Sequence, residues 1–487
     1  MATIRLFNTM SRKLEEFKPL VPGHMSFYSC GPTVYWNQHL GNMRTFINND
    51  MIKRMFAENG YDVKHVMNYT DVGHLTSDED EGEDKMEKGA KRENKTVWEV
   101  AQMYIDSVES DLRDLNIIKP ITPRATDYID EQIDLVRRLE DLGYTYVIPG
   151  KGVYYDTGKF AAYGALGGQN LSELRGGIRI DDSGKKSPTD FMLWAFSTPD
   201  MKREMEWDSP WGRGWPGWHI ECSAMSMKLL GSHFDIHTGG QEHIKIHHTN
   251  EIAQSEPLVG KPWVNYWVHW AWLMAKDGKM SKSAGDSLTI PYIKSKGYDP
   301  MEFRYLILLG QYKQPVEFSW AALDAAATGY KNIVRKVADL EVEGRKTKVA
   351  GFDDNEPPSL CALRSATYNA WHDRILAAVS DNLKTAEGLA IVQELLKDSG
   401  INAATKIELF EFIDRLFGLQ FIDRARKLLD LAAIAAPADV QKLADERTVA
   451  KAAKDWAHAD ELRAQIDAAG WTVVDAKDGA KLVKKQA

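Results

Sequence analysis

The chain of 487 residues is long enough for two to four domains with cores of their own, and its composition is that of an ordinary globular protein. Its longest apolar runs fall short of a membrane span and its first residues lack a signal-peptide pattern, so we expect a cytoplasmic protein that contacts no membrane. Three cysteines exclude a disulfide framework and suit a reducing compartment. A net charge of −9 neither favours nor excludes a nucleic-acid partner, because a phosphate-binding groove needs only a local basic strip.

The first predicted elements are a strand, a turn and a helix. A strand-like run at residues 25–28 leads through a glycine-containing turn into a helical pattern, in which apolar residues recur at three- and four-residue steps. The N-terminus of a helix presents unpaired N–H groups and partial positive charge, so His39 and Asn42, on either side of Gly41, could reach a phosphate there. An ordinary helix cap is the alternative interpretation, since such turns are common.

A second strand is predicted at residues 62–69. The polar loop after it, residues 70–74, lies where an open α/β sheet places ligand groups. Acidic residues then meet basic ones across residues 78–95, a charge pattern that is typical of a solvated, mobile insertion. Helical patterns follow at about 96–115 and 125–142.

The middle of the chain changes character. Residues 144–198 combine short alternating runs with many glycines and predict a small β-rich insertion. Residues 234–237 predict a strand that ends in a glycine turn, and residues 263–274 are apolar enough for either a buried strand or a helix. A short polar loop with three lysines follows at 276–286.

The last third of the chain is helical from about residue 299. Residues 353–358 have the composition of a linker, and further amphipathic helices extend to about residue 434. An Ala-Pro-Ala hinge at 436–438 begins a last module, for which we predict two helices and a short β tail.

Two cysteines and a histidine–glutamate pair form a candidate set of metal ligands. His247 and Glu251 are four residues apart, so they share one face of a helix. Together with Cys30 and Cys222 they would supply two thiolates, an imidazole and a carboxylate, an acceptable zinc set in which carboxylate is the less usual member. His248 is an alternative ligand. The spacing does not show that these residues meet, and two buried cysteines beside an ordinary His–Glu pair are the simpler interpretation.

The sequence closely resembles the bacterial cysteinyl-tRNA synthetases, a family of class I aminoacyl-tRNA synthetases. A HIGH-like signature at residues 39–42 precedes a KMSKS signature at 279–283, and this order and separation are very specific. The similarity extends from residue 1 to the C-terminal module. The other segments that carry it are Cys30-Gly31-Pro32-Thr33-Val34-Tyr35, Asn68-Tyr69-Thr70-Asp71, residues 217–223 and residues 247–255.

The resemblance implies an α/β fold: a Rossmann-like parallel-sheet catalytic domain with an inserted small α+β module, followed by a C-terminal α-helical bundle and a small tail module. The implied domains are residues 1–120 (first catalytic half), 121–200 (inserted connective module), 201–275 (second catalytic half with the zinc site), 276–350 (KMSKS loop and stem-contact helices), 351–434 (helical tRNA-binding bundle) and 435–487 (small anticodon-binding module).

The same resemblance assigns candidate site residues. One zinc ion per chain is expected on Cys30, Cys222, His247 and Glu251. The residues expected to bind ATP are His39, Gly41, Asn42, Gly239, Gly240, Lys279 and Lys282, of which the catalytic ones that contact phosphates are His39, Asn42, Lys279 and Lys282. The cysteine pocket is expected to include Gly31, Thr70 and Trp218.

The chemistry implied by the resemblance fits these residue types. L-Cysteine attacks the α-phosphate of Mg-ATP to give cysteinyl-adenylate and pyrophosphate, and cysteine is then transferred to the 3′ end of tRNA(Cys). Helix N–H groups, an imidazole and lysines would stabilise the charge that develops on the phosphates. A zinc–thiolate bond would reject serine, so we expect no editing domain. We also expect a monomer.

The sequence departs from the family pattern at three places, one of which is the absence of a Trp near the end of the tail that some members have. Asn42 stands where the signature has a second histidine, and an amide can donate a hydrogen bond to phosphate but carries no charge. Gln241 and Glu242 both remain candidates for the ribose contact.

Two other functions compete with the ligase. A cysteine ligase of mycothiol synthesis would share the catalytic half but lack an anticodon module, and residues 360–487 count against it. A non-catalytic tRNA-binding relative is disfavoured by the intact KMSKS signature, and Asn42 is its support. His237 is a candidate adenosine-side residue, whereas Trp218, His219 and His269 also have a plain interpretation as core residues.

Overall fold

The structure is a computed structural model, and it falls into two compact units. It describes residues 2–73, 84–168, 184–198, 203–260, 262–275, 288–349, 358–476 and 479–484. The first unit comprises Met1–Ala327, His372–Val392 and Arg415–Leu419, and the second comprises Thr328–Trp371, Gln393–Asp414 and Gln420–Ala487. The KMSKS signature at 279–283, and with it Lys279 and Lys282, lies outside the described residues.

The strands are short. In chain order they are β1 (Arg5–Asn8), β2 (Lys13–Glu16), β3 (His24–Ser29), β4 (Asp62–Met67), β5 (Thr145–Ile148), β6 (Gly152–Tyr155), β7 (Phe191–Phe196), β8 (Gly214–Pro216), β9 (Phe234–Gly240), β10 (Val264–Trp270), β11 (Leu273–Ala275), β12 (Val316–Phe318), β13 (Trp471–Ala476) and β14 (Gly479–Lys484).

The two longest helices that the structure describes are Trp320–Val349 and Pro358–Ser380. In chain order the helices are α1 (Leu40–Glu58), α2 (Lys85–Glu93), α3 (Val97–Asp114), α4 (Ile129–Asp141), α5 (Trp218–Leu230), α6 (His247–Val259), α7 (Ile290–Ser295), α8 (Pro300–Leu308), α9 (Trp320–Val349), α10 (Pro358–Ser380), α11 (Thr385–Lys397), α12 (Ala403–Phe417), α13 (Phe421–Ala433), α14 (Ala438–Ala452) and α15 (Trp456–Ala468), with 3-10 turns at Ala125–Tyr128, Thr157–Lys159 and Gln241–His243. None of the described helices is both long and apolar enough to cross a membrane.

A four-stranded parallel sheet in the order β10–β9–β3–β4 forms the centre of the first unit. Strand β3 pairs with β4 on one side and with β9, which is distant in the chain, on the other. The carboxyl end of β3 is therefore a topological switch point, the place where open α/β sheets bind ligands. Cys30 follows β3 directly at this point, and residues 68–70 follow β4 beside it.

The apolar segment at 263–274, left open between strand and helix by the sequence, forms β10 and β11. Aromatic and β-branched residues dominate Val264–Trp270, and such side chains pack well on a pleated sheet. Trp263 and Trp267 join Tyr28, Val66 and Phe234 in the buried core of the unit. The remaining predicted elements of this sheet lie within two or three residues of their expected ends. The hairpin β1–β2 was not predicted.

The β-rich insertion predicted at 144–198 contains the antiparallel strands β5, β6 and β7. A fourth strand, β8, completes this sheet from later in the chain by pairing with β7. Gly214 permits that pairing, because a Cβ atom there would lie 1.7 Å from the carbonyl oxygen of Ala195.

A buried charged cluster, which we call the arginine cluster, fixes the middle of α1. Asp50 Oδ2 accepts from Arg54 Nε at 2.7 Å and from Arg304 Nη2 at 2.5 Å. Its other oxygen accepts from the backbone of Ile118 at 2.9 Å. The remaining guanidinium N–H groups donate to carbonyl oxygens at the ends of α3 and α12, namely those of Leu115, Asn116, Arg415 and Phe417.

The second unit is helical and ends in a small module with its own core. Phe421 packs against Tyr330 and Phe410 at ring-centroid distances of 5.3 and 5.9 Å. In the last module, α14, α15 and the hairpin β13–β14 enclose a buried cluster of Val440, Ala444, Ile466, Trp471 and Val473. The two helices and β tail predicted from the sequence are therefore confirmed.

Candidate functional site

The four predicted metal ligands, distant in the chain, meet in the first unit. Cys30 follows β3, Cys222 lies in the second turn of α5, and His247 and Glu251 lie one turn apart on α6. Their ligand atoms all lie within 4.8 Å of one another, and all four residues are buried. The group, which we call the ligand cluster, could therefore hold a metal ion.

Glu251 shows best that a cation fits among these residues. Its oxygens lie 3.0 Å from His247 Nε2 and 2.9 Å from His237 Nε2. Neither oxygen has a hydrogen-bond partner, although the residue is fully buried. A buried carboxylate without hydrogen bonds is costly, and coordination of a cation would remove that cost. The donor set of two sulfurs, one nitrogen and one carboxylate suits zinc.

A shell of histidines surrounds the ligand cluster. His248, the alternative ligand, places Nε2 3.2 Å from Cys30 Sγ and hydrogen-bonds through Nδ1 to His269 at 2.8 Å. His248 also forms a second possible metal-binding group with Cys30 and His237, again with ligand atoms within 4.8 Å. His219 Nδ1 lies 2.9 Å from Nδ1 of His247.

His219, His237 and His248 contact the ligand cluster directly, and His269 contacts it through His248. His237, which the sequence predicts on the adenosine side, lies against Glu251. Side chains that hydrogen-bond to metal ligands orient those ligands. The histidine shell is placed to do this for the ligand cluster.

The buried groups in and around the ligand cluster divide into two that favour the charged form, Cys30 and His247, and two that favour the neutral form, Cys222 and His248. Burial opposes the thiolate of Cys30, but the hydrogen bond from Cys222 and the charges of His248 and His247 hold its pKa well below the usual value. The hydrogen bond to Cys30 and burial raise the pKa of Cys222. Burial opposes the imidazolium of His247, but Glu251 and Cys30 raise its pKa to about 10. Burial lowers the pKa of His248 to about 4.

A cavity of about 270 Å³ adjoins the ligand cluster. Cys30, Cys222 and His247 line it, whereas Glu251 does not. The cluster therefore faces the cavity with two sulfurs and one imidazole. The other predicted residues among the lining are Gly31, His39, Asn42, Thr70, Trp218 and Gly240. Gly41 and Gly239 are not part of the lining, and Glu242 lines the cavity where Gln241 does not.

At three glycines of the site, neighbouring atoms leave no space for a side chain. A Cβ atom at Gly31 would lie 1.6 Å from the carbonyl oxygen of Asn68, so no side chain fits between the ends of β3 and β4. At Gly239 a Cβ atom would meet His243 at 2.6 Å and His248 at 2.7 Å. At Gly240 it would meet the carboxylate of Glu242 at 2.1 Å. The last two glycines thus make room for polar side chains of the site.

A chain of hydrogen bonds fixes the polar wall of the cavity beside the ligand cluster. The backbone N–H of Gly31 donates to Asn68 Oδ1 at 3.0 Å, and Asn68 Nδ2 donates to Thr70 Oγ1 at 3.1 Å. Thr70 in turn donates to the buried carboxylate of Glu221 at 2.9 Å. Since its proton is committed to Glu221, the Thr70 hydroxyl offers the cavity an acceptor.

The start of α1 also lines the cavity. His39 caps the helix, and its Nδ1 accepts the backbone N–H of Asn42 at 3.2 Å. Both side chains line the cavity, as the sequence predicts for residues near a phosphate.

Sequence reasoning missed Asn68, Lys85, Glu221 and His243 as site residues. Lys85 was expected in a solvated insertion, but it begins α2, lines the cavity and places Nζ 5.6 Å from the ring of Trp218. Asn68 and Glu221 lie within quoted motifs, beside Thr70 and Cys222, and that proximity was the available signal.

Comparisons with known proteins agree with this geometry. A family model described as "tRNA synthetases class I (C) catalytic domain" matches residues 16–328. The cysteine–tRNA ligase of Treponema denticola is 41% identical over 490 residues, covering 97% of this chain and 98% of that protein. Cysteine–tRNA ligase 1 of Burkholderia lata is 41% identical over 481 residues, covering 98% of this chain and 96% of that protein.

Solved structures show the same fold at low sequence identity. Mycobacterium tuberculosis methionyl-tRNA synthetase with methionyl-adenylate matches with a TM-score of 0.56 and 16% identity, covering 86% of this chain and 95% of that chain. Agrobacterium radiobacter leucyl-tRNA synthetase, in a ternary complex, matches with a TM-score of 0.61 and 11% identity, covering 86% of each chain.

Proposed function

The chain belongs to the cysteinyl-tRNA synthetases of class I, and from that premise we propose how its residues carry out the reaction of a cysteine–tRNA ligase. The substrates are L-cysteine, ATP with Mg²⁺, and tRNA(Cys). Cysteine is activated to cysteinyl-adenylate with release of pyrophosphate, and is then transferred to the 3′ end of the tRNA. The observation that carries the proposal is the ligand cluster at the wall of the cavity.

One zinc ion is held by Cys30, Cys222, His247 and Glu251. The orphaned oxygens of Glu251 and the two sulfurs support this choice of metal. When bound, zinc would supply Lewis acidity toward a thiolate such as that of the substrate. A serine hydroxyl is a much poorer ligand, and a site that bonds the distinguishing group directly needs no editing domain.

The amino-acid backbone of the substrate lies against the polar wall between β3 and β4. Thr70 presents an acceptor to the α-ammonium group because its own proton is donated to Glu221. Gly31 lets the ends of β3 and β4 approach closely enough to form this wall, and the indole of Trp218, 4.6 Å from the ring of His247, closes the apolar side.

ATP binds at the start of α1. His39, Asn42 and the N–H groups around Gly41 contact the phosphates, with Asn42 donating from an uncharged amide. Lys279 and Lys282 add positive charge where charge develops in the transition state. The adenosine lies near Gly239 and Gly240, and Glu242 accepts from the ribose hydroxyls, because it lines the cavity whereas Gln241 does not.

The helical regions bind tRNA(Cys). We keep the boundaries expected from the sequence: stem-contact helices within 276–350, a tRNA-binding bundle at 351–434 and an anticodon module at 435–487. The protein acts in the cytoplasm as a monomer. A chain ending at residue 435 should keep cysteine-dependent pyrophosphate exchange and lose most tRNA charging. Equal loss of both would contradict this division of labour.

The competing functions have less support. The curated relatives match along 97% and 98% of this chain, well beyond the catalytic half that a mycothiol-type ligase would share. Asn42 remains the one feature that favours a non-catalytic relative. Cysteine-dependent exchange of pyrophosphate into ATP separates that relative from both ligases, and transfer of labelled cysteine to tRNA(Cys) separates the two ligases.

A metal substitution tests the site itself. We expect the Co²⁺-loaded protein to gain a thiolate-to-metal absorption band on addition of cysteine and no such band with serine. A Cys222→Ser variant should lose the metal, and a Cys361→Ser variant, the matched control at the third cysteine, should keep it. Full metal content in Cys222→Ser would refute the assignment.

A further inference from the structure

Arg44 is a buried arginine of α1 that the mechanism above does not use. It lies five residues after His39, and 2% of it is exposed. Its Nη1 donates to the carbonyl oxygen of Trp272. Its Nη2 donates to the carbonyl oxygens of Gln314 at 2.7 Å and Gln311 at 3.1 Å. One side chain therefore holds two separate segments of backbone against the helix.

The surroundings of this guanidinium are unusual. Among the residues that the structure describes, no carboxylate forms an ion pair with Arg44, and burial lowers its pKa to about 10. Its charge is therefore offset by backbone carbonyl groups. Buried arginines are usually paired with a carboxylate, as Arg54 and Arg304 are with Asp50. An arginine kept without such a partner indicates that holding those carbonyl groups is its purpose.

The carbonyl groups involved organise the pair β11–β12. The Trp272 oxygen also accepts the N–H of Val316, at the start of β12, at 3.1 Å. Next to Gln311, the Tyr312 oxygen accepts the N–H of Ala271 at 2.9 Å. These bonds lead directly into the parallel pairing of Leu273–Ala275 with Val316–Phe318. Arg44 thus holds against α1 the residues that immediately precede both strands.

The first turns of α1 contact the chain on both sides of residues 276–287. On the amino-terminal side the contact is Arg44 with Trp272. On the carboxyl-terminal side the backbone N–H of Leu40 donates to the carbonyl oxygen of Leu288 at 2.8 Å. Lys279 follows β11 by four residues in the sequence. The helix that begins at His39 is therefore attached to both flanks of the segment that carries the KMSKS lysines.

We propose that Arg44 is a positioning residue for the ATP step: it holds Trp272, whose indole Nε1 donates to Glu242 at 2.8 Å, in a fixed register with His39 and Asn42. The inference rests on the proposed function, in which His39 and Asn42 contact the phosphates of ATP and Glu242 contacts the ribose. Arginine suits the task because its planar fork donates to several carbonyl groups at once. A lysine ammonium at this position is a single point charge and could not reach the carbonyl oxygens of Trp272, Gln311 and Gln314 at the same time.

The test is Arg44→Lys in the full-length, metal-loaded protein. We expect kcat/KM for ATP in cysteine-dependent pyrophosphate exchange to fall by about 10- to 100-fold, since small misplacements of reacting groups cost that much. The affinity for cysteine, read from the thiolate-to-Co²⁺ absorption band, should stay within about twofold of the parent. Backbone amides of Ala271 and Val316 should exchange with solvent faster.

Arg54→Lys is the matched control. Arg54 is also a buried arginine of α1, and it donates to the carbonyl oxygens of Asn116 and Arg415, which do not line the cavity. Its replacement should lower the stability of the protein and leave KM for ATP unchanged. Arg44→Met, which leaves no buried charge, provides the second variant if Arg44→Lys does not fold.

The outcomes separate this inference from the proposed function. An unchanged kcat/KM for ATP in Arg44→Lys or Arg44→Met would overturn the inference, as would an equal loss of affinity for cysteine. The same ATP defect in Arg54→Lys would also overturn it, because any buried arginine of α1 would then serve. Absence of cysteine-dependent exchange in the parent protein would overturn the proposed function itself.

Discussion

Two buried carboxylates of the first unit have similar surroundings and different roles. Asp50 lies between the guanidinium groups of Arg54 and Arg304, and Glu251 lies between the imidazoles of His237 and His247. Both residues are fully buried. In each case burial opposes the charged form, and the two neighbouring cations nevertheless hold the pKa of the carboxyl below its usual value.

The difference lies in the hydrogen bonds. Asp50 accepts from two arginines and from the backbone of Ile118, so both of its oxygens are satisfied. The oxygens of Glu251 have no hydrogen-bond partner. Arginine keeps its charge at any pH a protein meets, whereas histidine can lose its proton and become a ligand. Asp50, which is fully hydrogen-bonded between permanently charged arginines, therefore has a structural role. Glu251, which lacks hydrogen bonds and lies between histidines that can lose a proton, is suited to bind a metal.

Replacing the carboxylate of each cluster with an amide is the most direct test of this difference. We expect the larger effect in Asp50→Asn. Two arginines would remain buried with one amide between them, and removal of one member of a buried ion pair costs about 3–5 kcal/mol. We expect the free energy of unfolding, measured in urea, to fall by roughly that amount. The folded fraction should retain its metal. A loss below about 1 kcal/mol would contradict this prediction, because it would equal the contribution of an exposed ion pair.

Glu251→Gln is the counterpart and should give the next largest effect. Four ligands share a zinc-binding free energy of about 10–16 kcal/mol, so one ligand is worth about 3–4 kcal/mol, or a 100- to 1000-fold weaker metal affinity. The stability of the metal-free protein should change by less than about 1 kcal/mol, because the neighbouring histidines can become neutral. Destabilisation of the metal-free protein as large as that in Asp50→Asn would remove the distinction between the clusters.

The histidine shell should produce a smaller effect. His248 contacts Cys30 and is itself held by His269, so His248→Gln alters the orientation of a ligand without removing one. Substitutions at such positions weaken metal affinity by about 10- to 100-fold. Competition with a chelator measures this change. A loss as large as that in Glu251→Gln would assign His248 to the ligand set in place of a neighbour.

A third buried carboxylate, Asp111 of α3, should give the smallest effect when measured for each unit of pH. Burial, helped by Asp114, raises its pKa to about 7 from 3.8. A group whose pKa is higher in the folded protein favours folding while it is protonated, and that benefit is lost as the pH rises through the folded pKa. We expect the free energy of unfolding to fall from pH 4 to 7 by up to about 1.4 kcal/mol for each pH unit, the slope set by one proton that only the folded state binds. The slope should vanish in Asp111→Asn, and a slope unchanged by that substitution would contradict the assignment.

The linear sequence was most informative where a local pattern has one physical meaning. Three- and four-residue spacing predicted α1 and α3, and the spacing of His247 and Glu251 placed both on one helix face. It was least informative for residues 85–95, where the charge pattern indicated a solvated insertion. The structure forms α2 there, with Met86 and Ala90 buried, because tertiary contacts with α3 outweigh local polarity.

The sequence by itself determined the family, the parallel α/β architecture and the identity of the four candidate ligands, because these depend on residue types in a fixed order. Tertiary structure decided which partner each buried polar residue has. Glu251 lies between two imidazoles without a hydrogen bond, Thr70 donates its proton to Glu221, and Arg44 has carbonyl groups in place of a carboxylate; each arrangement joins side chains from distant segments. No local pattern records whether a buried charge is satisfied, since its partners come from elsewhere in the chain.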